Sequence, residues 1–384
     1  MIYLWLIIGA IVPSMLITWL TVFAIRRFGP GLGMVDSPGH RKVHSKPMPT
    51  CGGLGVWLGI MLPFAVGHFL LAALATGSAP FLAEILPSEV TQHLSGLGEQ
   101  TAGLWTLLGG GTVLMILGLI DDLRGLDWKL RLGVQTIVAL TLVLCGWQLQ
   151  AFIDSPWFTI PLSVFWIVGL INSFNMLDNM DGLSAGVAAI AAAMLAIVML
   201  IAPDPITSQP QLFVAGFLLV IVGALLGFLW HNRPPARIFM GDAGSYLIGY
   251  LIAMATLTAS FAGYHEVPPH AILAPLCVLA VPIYDTLTVI AIRLRHGRSP
   301  FEGDKSHFSH RLVELGMSKA QAVGTIYLTT ATCGLGALLL HQVNLAGAVV
   351  ILTLVACVLV LIGILETAGR RNADRSRDGG DGAK

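Results

Sequence analysis

Two aspartates stand side by side at the end of an apolar run, in Leu117-Gly118-Leu119-Ile120-Asp121-Asp122-Leu123. Adjacent carboxylates repel each other unless a cation sits between them. Hard oxygen ligands of this kind suit Mg²⁺, which takes one or two carboxylates together with substrate phosphates. The competing reading is a solvated helix end partly offset by Arg124. Further along, Asn172, Asn175, Asp178 and Asp181 follow one another at steps of three, so that on a helix they form one polar stripe. One carboxylate there is enough for a helix N-cap. Two amides and two carboxylates on one line suit a sugar, a base or a metal.

Asp242, in Arg237-Ile238-Phe239-Met240-Gly241-Asp242-Ala243-Gly244-Ser245, reads as an N-cap or as part of a helix start that receives phosphate. Its flanking glycines would let a ligand come close. Asp285, in Pro282-Ile283-Tyr284-Asp285-Thr286, falls inside an apolar run. An ionisable group there is costly, and marks either a functional site or a structural ion pair. His307 and His310 lie in Asp304-Lys305-Ser306-His307-Phe308-Ser309-His310-Arg311. Their imidazoles offer metal ligation, phosphate contact or acid–base chemistry. The stretch Gly33–Gly53 holds Arg41, Lys42 and His44 among more Gly, Pro and His than a merely basic loop needs. A loop of fixed shape around an anion would use them. Acids for a metal and bases for an anion are what phosphoryl transfer requires, where catalysis is mostly positioning and charge neutralisation.

The elements that must position these groups are membrane helices. Of 384 residues, 55% are hydrophobic and 11% charged, against about a quarter charged in soluble domains. Eleven apolar runs approach the roughly 20 residues that span a bilayer, at about 2–25, 52–73, 103–120, 132–151, 157–176, 183–202, 212–230, 243–262, 270–292, 321–340 and 345–365. With the N-terminus outside, all 21 Lys and Arg fall in segments on the inner side, as the positive-inside rule demands, and the C-terminus is cytoplasmic. The expectation is therefore an all-α, polytopic transmembrane helical bundle, with residues 1–369 as one domain and 370–384 as a disordered charged tail. The carboxylates, histidines and basic residues named above gather on its cytoplasmic face. Zero net charge excludes a nucleic-acid-binding field. The five cysteines are scattered without a C-x-x-C pair, so neither a disulfide framework nor a zinc site is expected.

In combination and order, Gly33–Gly53, Leu117–Leu123, Asn172–Gly186, Ala236–Ser245, Pro282–Thr286 and Ser299–Leu312 resemble the polyprenyl-phosphate N-acetylhexosamine-1-phosphate transferases, over about three-quarters of the chain. The resemblance implies a reaction dependent on Mg²⁺, or on Mn²⁺ in its place, at the bacterial inner membrane. Undecaprenyl phosphate attacks a UDP-N-acetylhexosamine, most simply UDP-GlcNAc, at the first membrane step of an envelope glycan. It implies Asp121, Asp122 and Asp242 as catalytic acids, with Asp122, Asp178 and Asp242 at the metal. Arg41, Lys42, His44, Asn172, Asn175, Asp178, Asp181, Asp285, His307, His310 and Arg311 would line the substrates. Members of the family often read His-x-His-His in the last motif, where this chain has Ser309. The related muramyl-pentapeptide transferase is the alternative within the enzyme class. A secondary transporter for an anionic solute is the alternative outside it, although transporters place their polar groups near the bilayer midplane. The partners expected are these two substrates, membrane lipid and no nucleic acid, and the apolar faces leave room for a homodimer.

Overall fold

The computed structural model describes residues 2–36, 47–78, 94–149, 155–202, 204, 208–259, 261, 268–301 and 306–378. The described chain is almost entirely helical. It runs α1 (Ile2–Phe28), α2 (Gly52–Ala75), α3 (Leu94–Arg124), α4 (Trp128–Leu144), α5 (Pro156–Leu177), α6 (Leu183–Ile201), α7 (Leu212–Asn232) and α8 (Gly241–Thr258). It continues with α9 (Ala274–Val278), α10 (Ala280–Arg295), α11 (Phe308–Glu314), α12 (Lys319–Leu340) and α13 (Leu345–Asp378). Two short strands, β1 (Val35–Asp36) and β2 (Met48–Pro49), pair antiparallel with Val35 opposite Pro49. In hydrocarbon every backbone polar group must be paired internally, and helices do this within a single segment.

Helices occupy all eleven expected positions. Eight are long and apolar enough to cross a membrane, and the bent pair 269–278 and 280–295 makes a ninth. The other two are α4, with 17 residues, and α8, whose 18 residues include Asp242, Ser245, Tyr246 and Tyr250. The bent pair departs from the single straight run expected at 270–292. It turns by 67° at Leu279. Pro282 lacks the N–H that would bond back one turn, so an unbroken helix through this point is disfavoured. The tail differs as well: α13 extends through Arg370 and Arg371 to Asp378. Residues 370–378 contain neither Gly nor Pro.

The core lies around α6, α7 and α8, the most enclosed helices of the bundle. From Ala243 to Leu257 every residue of α8 is buried. It packs against α2, α3 and α5, while α6 holds α7 and α12. The buried face of α6 is Ala185, Gly186, Ala188, Ala189, Ala191 and Ala192. Small residues let backbones approach where lipid supplies no hydrophobic drive between helices. On the outside, α13 exposes Val349, Val350, Leu354, Leu361 and Leu365, an apolar face suited to lipid.

Three glycines set the depth of α8. A Cβ on Gly53 would lie 2.1 Å from the Gly244 nitrogen, and one on Gly118 would lie 2.4 Å from the Ala243 nitrogen and the Asp242 carbonyl. The start of α8 is thus wedged between α2 and α3 with no room for a methyl group. Gly118→Ala should lower stability by about 1–3 kcal/mol. Gly133→Ala, where nothing lies within 4 Å, should not. Thermal unfolding of the two variants in detergent checks the contrast.

Candidate active site

Asp121 and Asp122 end α3, where the helix dipole disfavours negative charge. The fold separates their fates. Asp121 is buried, and its Oδ2 accepts hydrogen bonds from Arg131 Nη1 and Tyr246 Oη, both at 2.9 Å. Its Oδ1 accepts from the Leu126 N–H at 2.7 Å. Asp122 reaches across to the start of α8 and accepts from the backbone N–H groups of Asp242 (2.9 Å) and Ala243 (3.2 Å). It thereby takes the place of an N-cap that the sequence around Met240 does not supply. Gly241, at φ +72°, makes this possible, since a Cβ there would lie 2.4 Å from Asp122 Oδ2. The repulsion that suggested a cation between the two acids is relieved by Arg131 and by the α8 amides.

Asp242 follows directly. Its Oδ1 accepts from Asn175 Nδ2 at 2.6 Å, and its Oδ2 lies 3.8 Å from Arg131 Nη1. Asn175 Nδ2 also reaches Ser245 Oγ at 3.1 Å. Arg131, at the beginning of α4, therefore stands between Asp121 and Asp242. The glycines flanking Asp242 serve helix packing and the Asp122 contact.

The polar stripe expected over 172–181 is divided, because α5 ends at Leu177. Asn172 donates to Gln135 Oε1 (2.7 Å) and the Val168 carbonyl. It does not join the site. Asp178 and Asp181 lie in the turn before α6, and neither caps that helix. The cap is Gly182, with no side-chain bond. Asp181 Oδ2 accepts from the Ala236 N–H at 3.0 Å, and Asn232 Oδ1 accepts from the Gly182 N–H at 2.8 Å. The turn is thus fastened to the segment leading into α8. No described residue donates to the half-buried Asp178 carboxyl. Burial, then the charges of Asp122 and Asp181, push it up to about 7.

The remaining motif forms a second layer. Asp285 is 1% exposed and has both oxygens occupied, Oδ2 by His307 Nδ1 at 3.0 Å and Oδ1 by the Phe308 N–H at 2.6 Å. Arg311 is buried in an ion pair with Glu366 of α13, Nε to Oε2 at 2.9 Å, and also donates to Thr288 Oγ1. These two residues, expected against substrate, hold α11 in place, because an isolated charge at this depth needs a partner. Ser309 donates to Asn179 Oδ1, joining α11 to the turn of Asp178. His310 lies beside His307, with ring centroids 6.4 Å apart. Arg41, Lys42 and His44 lie outside the described residues. The ends of their loop are described: the Phe239 N–H donates to the Pro49 carbonyl and the Gly53 N–H to the Met240 carbonyl, next to Asp242.

Among the described residues no three His, Cys, Asp or Glu side chains form a ready-made metal cage. Mg²⁺ does not ask for one, since it keeps waters and takes substrate phosphates. Asp178 feels the charge of Asp122, which in turn meets the backbone of Asp242, so three carboxyls gather at one spot and the donor set fits a hard cation.

Comparisons with known proteins give the family. Residues 104–260 match the family model described as glycosyl transferase family 4. The chain is 30% identical over 347 residues to a probable undecaprenyl-phosphate N-acetylglucosaminyl 1-phosphate transferase of Bacillus subtilis, covering 88% of this chain and 86% of that one. The chain belongs to this transferase family. It is also 34% identical over 345 residues to the decaprenyl-phosphate N-acetylglucosaminephosphotransferase of Mycobacterium tuberculosis, covering 84% and 79% of the two chains. With the undecaprenyl-phosphate alpha-N-acetylglucosaminyl 1-phosphate transferase of Escherichia coli it shares 28% identity over 334 residues, covering 84% and 80%.

Three residues of this family member escaped the sequence reading. Arg131 counted only as an inner-side basic residue, and Asn232 ends an apolar helix. Tyr246 had one signal: four residues after Asp242, it shares a helix face with it.

The raised Asp178 pKa gives a pH test. In metal-free protein the carboxyl is most easily accommodated neutral, so the wild type loses stability as pH rises through about 7. Asp178→Asn stays neutral throughout. With EDTA present, the Tm advantage of the variant should widen from about pH 6 to about pH 8.5. A gap that stays constant would contradict the burial of that charge.

Proposed function

We propose that this protein transfers N-acetylglucosamine-1-phosphate from UDP-GlcNAc to undecaprenyl phosphate at the cytoplasmic face of a bacterial inner membrane. A phosphate oxygen of the lipid attacks the β-phosphorus of the donor. The bond from that phosphorus to the bridging oxygen breaks, UMP leaves with the bridging oxygen, and polyprenyl-diphosphate-GlcNAc forms. The observation that carries this reading is the convergence of Asp122, Asp178 and Asp242 from three separate stretches of chain at one end of the bundle. The names of the three relatives above support it further, and none of them is a pentapeptide transferase or a transporter.

In this reading Asp242 and Asp178 would hold Mg²⁺, with Asp122 alongside. The ion would supply positive charge where the diphosphate gathers negative charge. Asp122, which meets the first amides of α8, would receive a proton from the lipid phosphate. Arg131, beside Asp242, can neutralise a phosphate oxygen once substrate displaces its longer contact. Asn175 holds the Asp242 carboxylate in a single orientation. Arg41, Lys42 and His44 would meet the nucleotide or lipid phosphates from the first loop. The gathering of basic residues in alternate inter-helix segments supports a cytoplasmic site for this chemistry.

The test is UMP release by purified, detergent-solubilised protein supplied with undecaprenyl phosphate, Mg²⁺ and a panel of UDP-sugars. UMP that requires lipid and UDP-GlcNAc together, and disappears with EDTA, is the expected result. UMP from no donor with folded protein would overturn the reading. Asp242→Asn should lower turnover on the order of 100-fold or more while eluting as a folded species. Near-normal turnover in that variant would remove Asp242 from the metal role.

A further inference from the structure

We propose that Asp285 is a positioning residue that fixes His307 through its Nδ1, so that Nε2 is the nitrogen offered to substrate. This rests on the transferase reading above and on the resemblance that implies His307 among the residues lining the substrates. A carboxylate only accepts, so the 3.0 Å contact to Asp285 Oδ2 is a hydrogen bond only if Nδ1 carries the hydrogen. No described residue bonds Nε2. The other carboxylate oxygen takes the Phe308 N–H at 2.6 Å. One buried side chain therefore fixes both the imidazole and the first turn of the helix behind it.

The need for such a device follows from the size of α11. Seven residues cannot hold a helix by themselves. Its place is set by Asp285 at its start, by Ser309 on Asn179 and by Arg311 on Glu366. Phe308 is fully buried edge-on against Tyr284, with centroids 5.7 Å apart. Of these anchors Asp285 alone touches the imidazole. It comes from α10, just beyond the 67° bend, so the broken span carries an acid from the apolar interior to the histidine. A carboxylate behind an imidazole sets its ring orientation and tautomer, and loss of such partners costs roughly 10–100-fold in activity.

The experiment separates positioning from bulk stability. Turnover is measured for Asp285→Asn, His307→Gln and the double variant, with Glu366→Gln as an anchor that does not touch His307. Asp285→Asn should lower kcat by about 10–100-fold and leave the KM for lipid nearly unchanged. In the His307→Gln background the same change should cost less than about threefold, because its route of action is gone. Glu366→Gln should lower Tm, and its effect should multiply in full with that of His307→Gln. Full multiplication for Asp285→Asn, or a wild-type rate in that variant, overturns the proposal. A readout independent of turnover is long-range ¹⁵N–¹H NMR of ¹⁵N-histidine-labelled protein, with His307 identified by the signal lost in His307→Gln. Protonated Nδ1 is the expected result, and an Nε2–H tautomer with bare Nδ1 overturns the pairing. If the wild type releases no UMP, the transferase reading falls, and the NMR result still decides the Asp285–His307 pair.

Discussion

The bond on which this arrangement turns is that of Asp122 to the first amides of α8. A carboxylate at the C-terminal end of its own helix is badly placed, and a helix N-terminus without a capping side chain is badly placed too. Each remedies the other. The cross-helix cap spans 120 residues of sequence, and contacts of this kind contribute about 0.5–2 kcal/mol even in water. Its geometric effect is larger than its energy. It requires Gly241 with its left-handed backbone and Gly118 at the crossing, and it sets Asp242 within reach of Asn175 and Arg131.

From that joint the polar end of the bundle follows by pairing. Apolar surroundings strengthen hydrogen bonds and penalise unpaired groups alike. Asp121 is satisfied by Arg131, Tyr246 and a backbone amide. The turn after α5 is held by Asn232 and by the Ala236 amide, and α11 by Asp285 and Glu366. Within this network Asp178 stands apart, half-buried with no donor among the described residues, its carboxyl raised by burial and by like charges.

Much of the fold was legible because membrane spans declare themselves by length and apolarity, and each expected run is helical. The interruption at Leu279 was less visible, since Pro282 is tolerated in many transmembrane helices. The candidate site was legible as residue types and less so as contacts. Asp121, Asp122, Asp178, Asp181, Asn175 and Asp242 do converge. Asn172 does not, because α5 turns it toward Gln135. Asp285 and Arg311 were read as facing substrate, yet each has a protein partner that sequence separation hides: His307 lies 22 residues from Asp285, and Glu366 lies 55 from Arg311.

The sequence by itself determined that this is a membrane bundle, and that acids and bases suited to phosphoryl transfer lie at span ends. Apolar length and charge placement act locally, and a chain cannot evade them. Only the tertiary structure decided which acids are spoken for and which are left open. Whether Asp121 or Asp178 has a donor depends on Arg131 and on the course of the turn before α6. Those are matters of which helices meet, and at what depth, in a solvent that leaves little room for an unpaired charge.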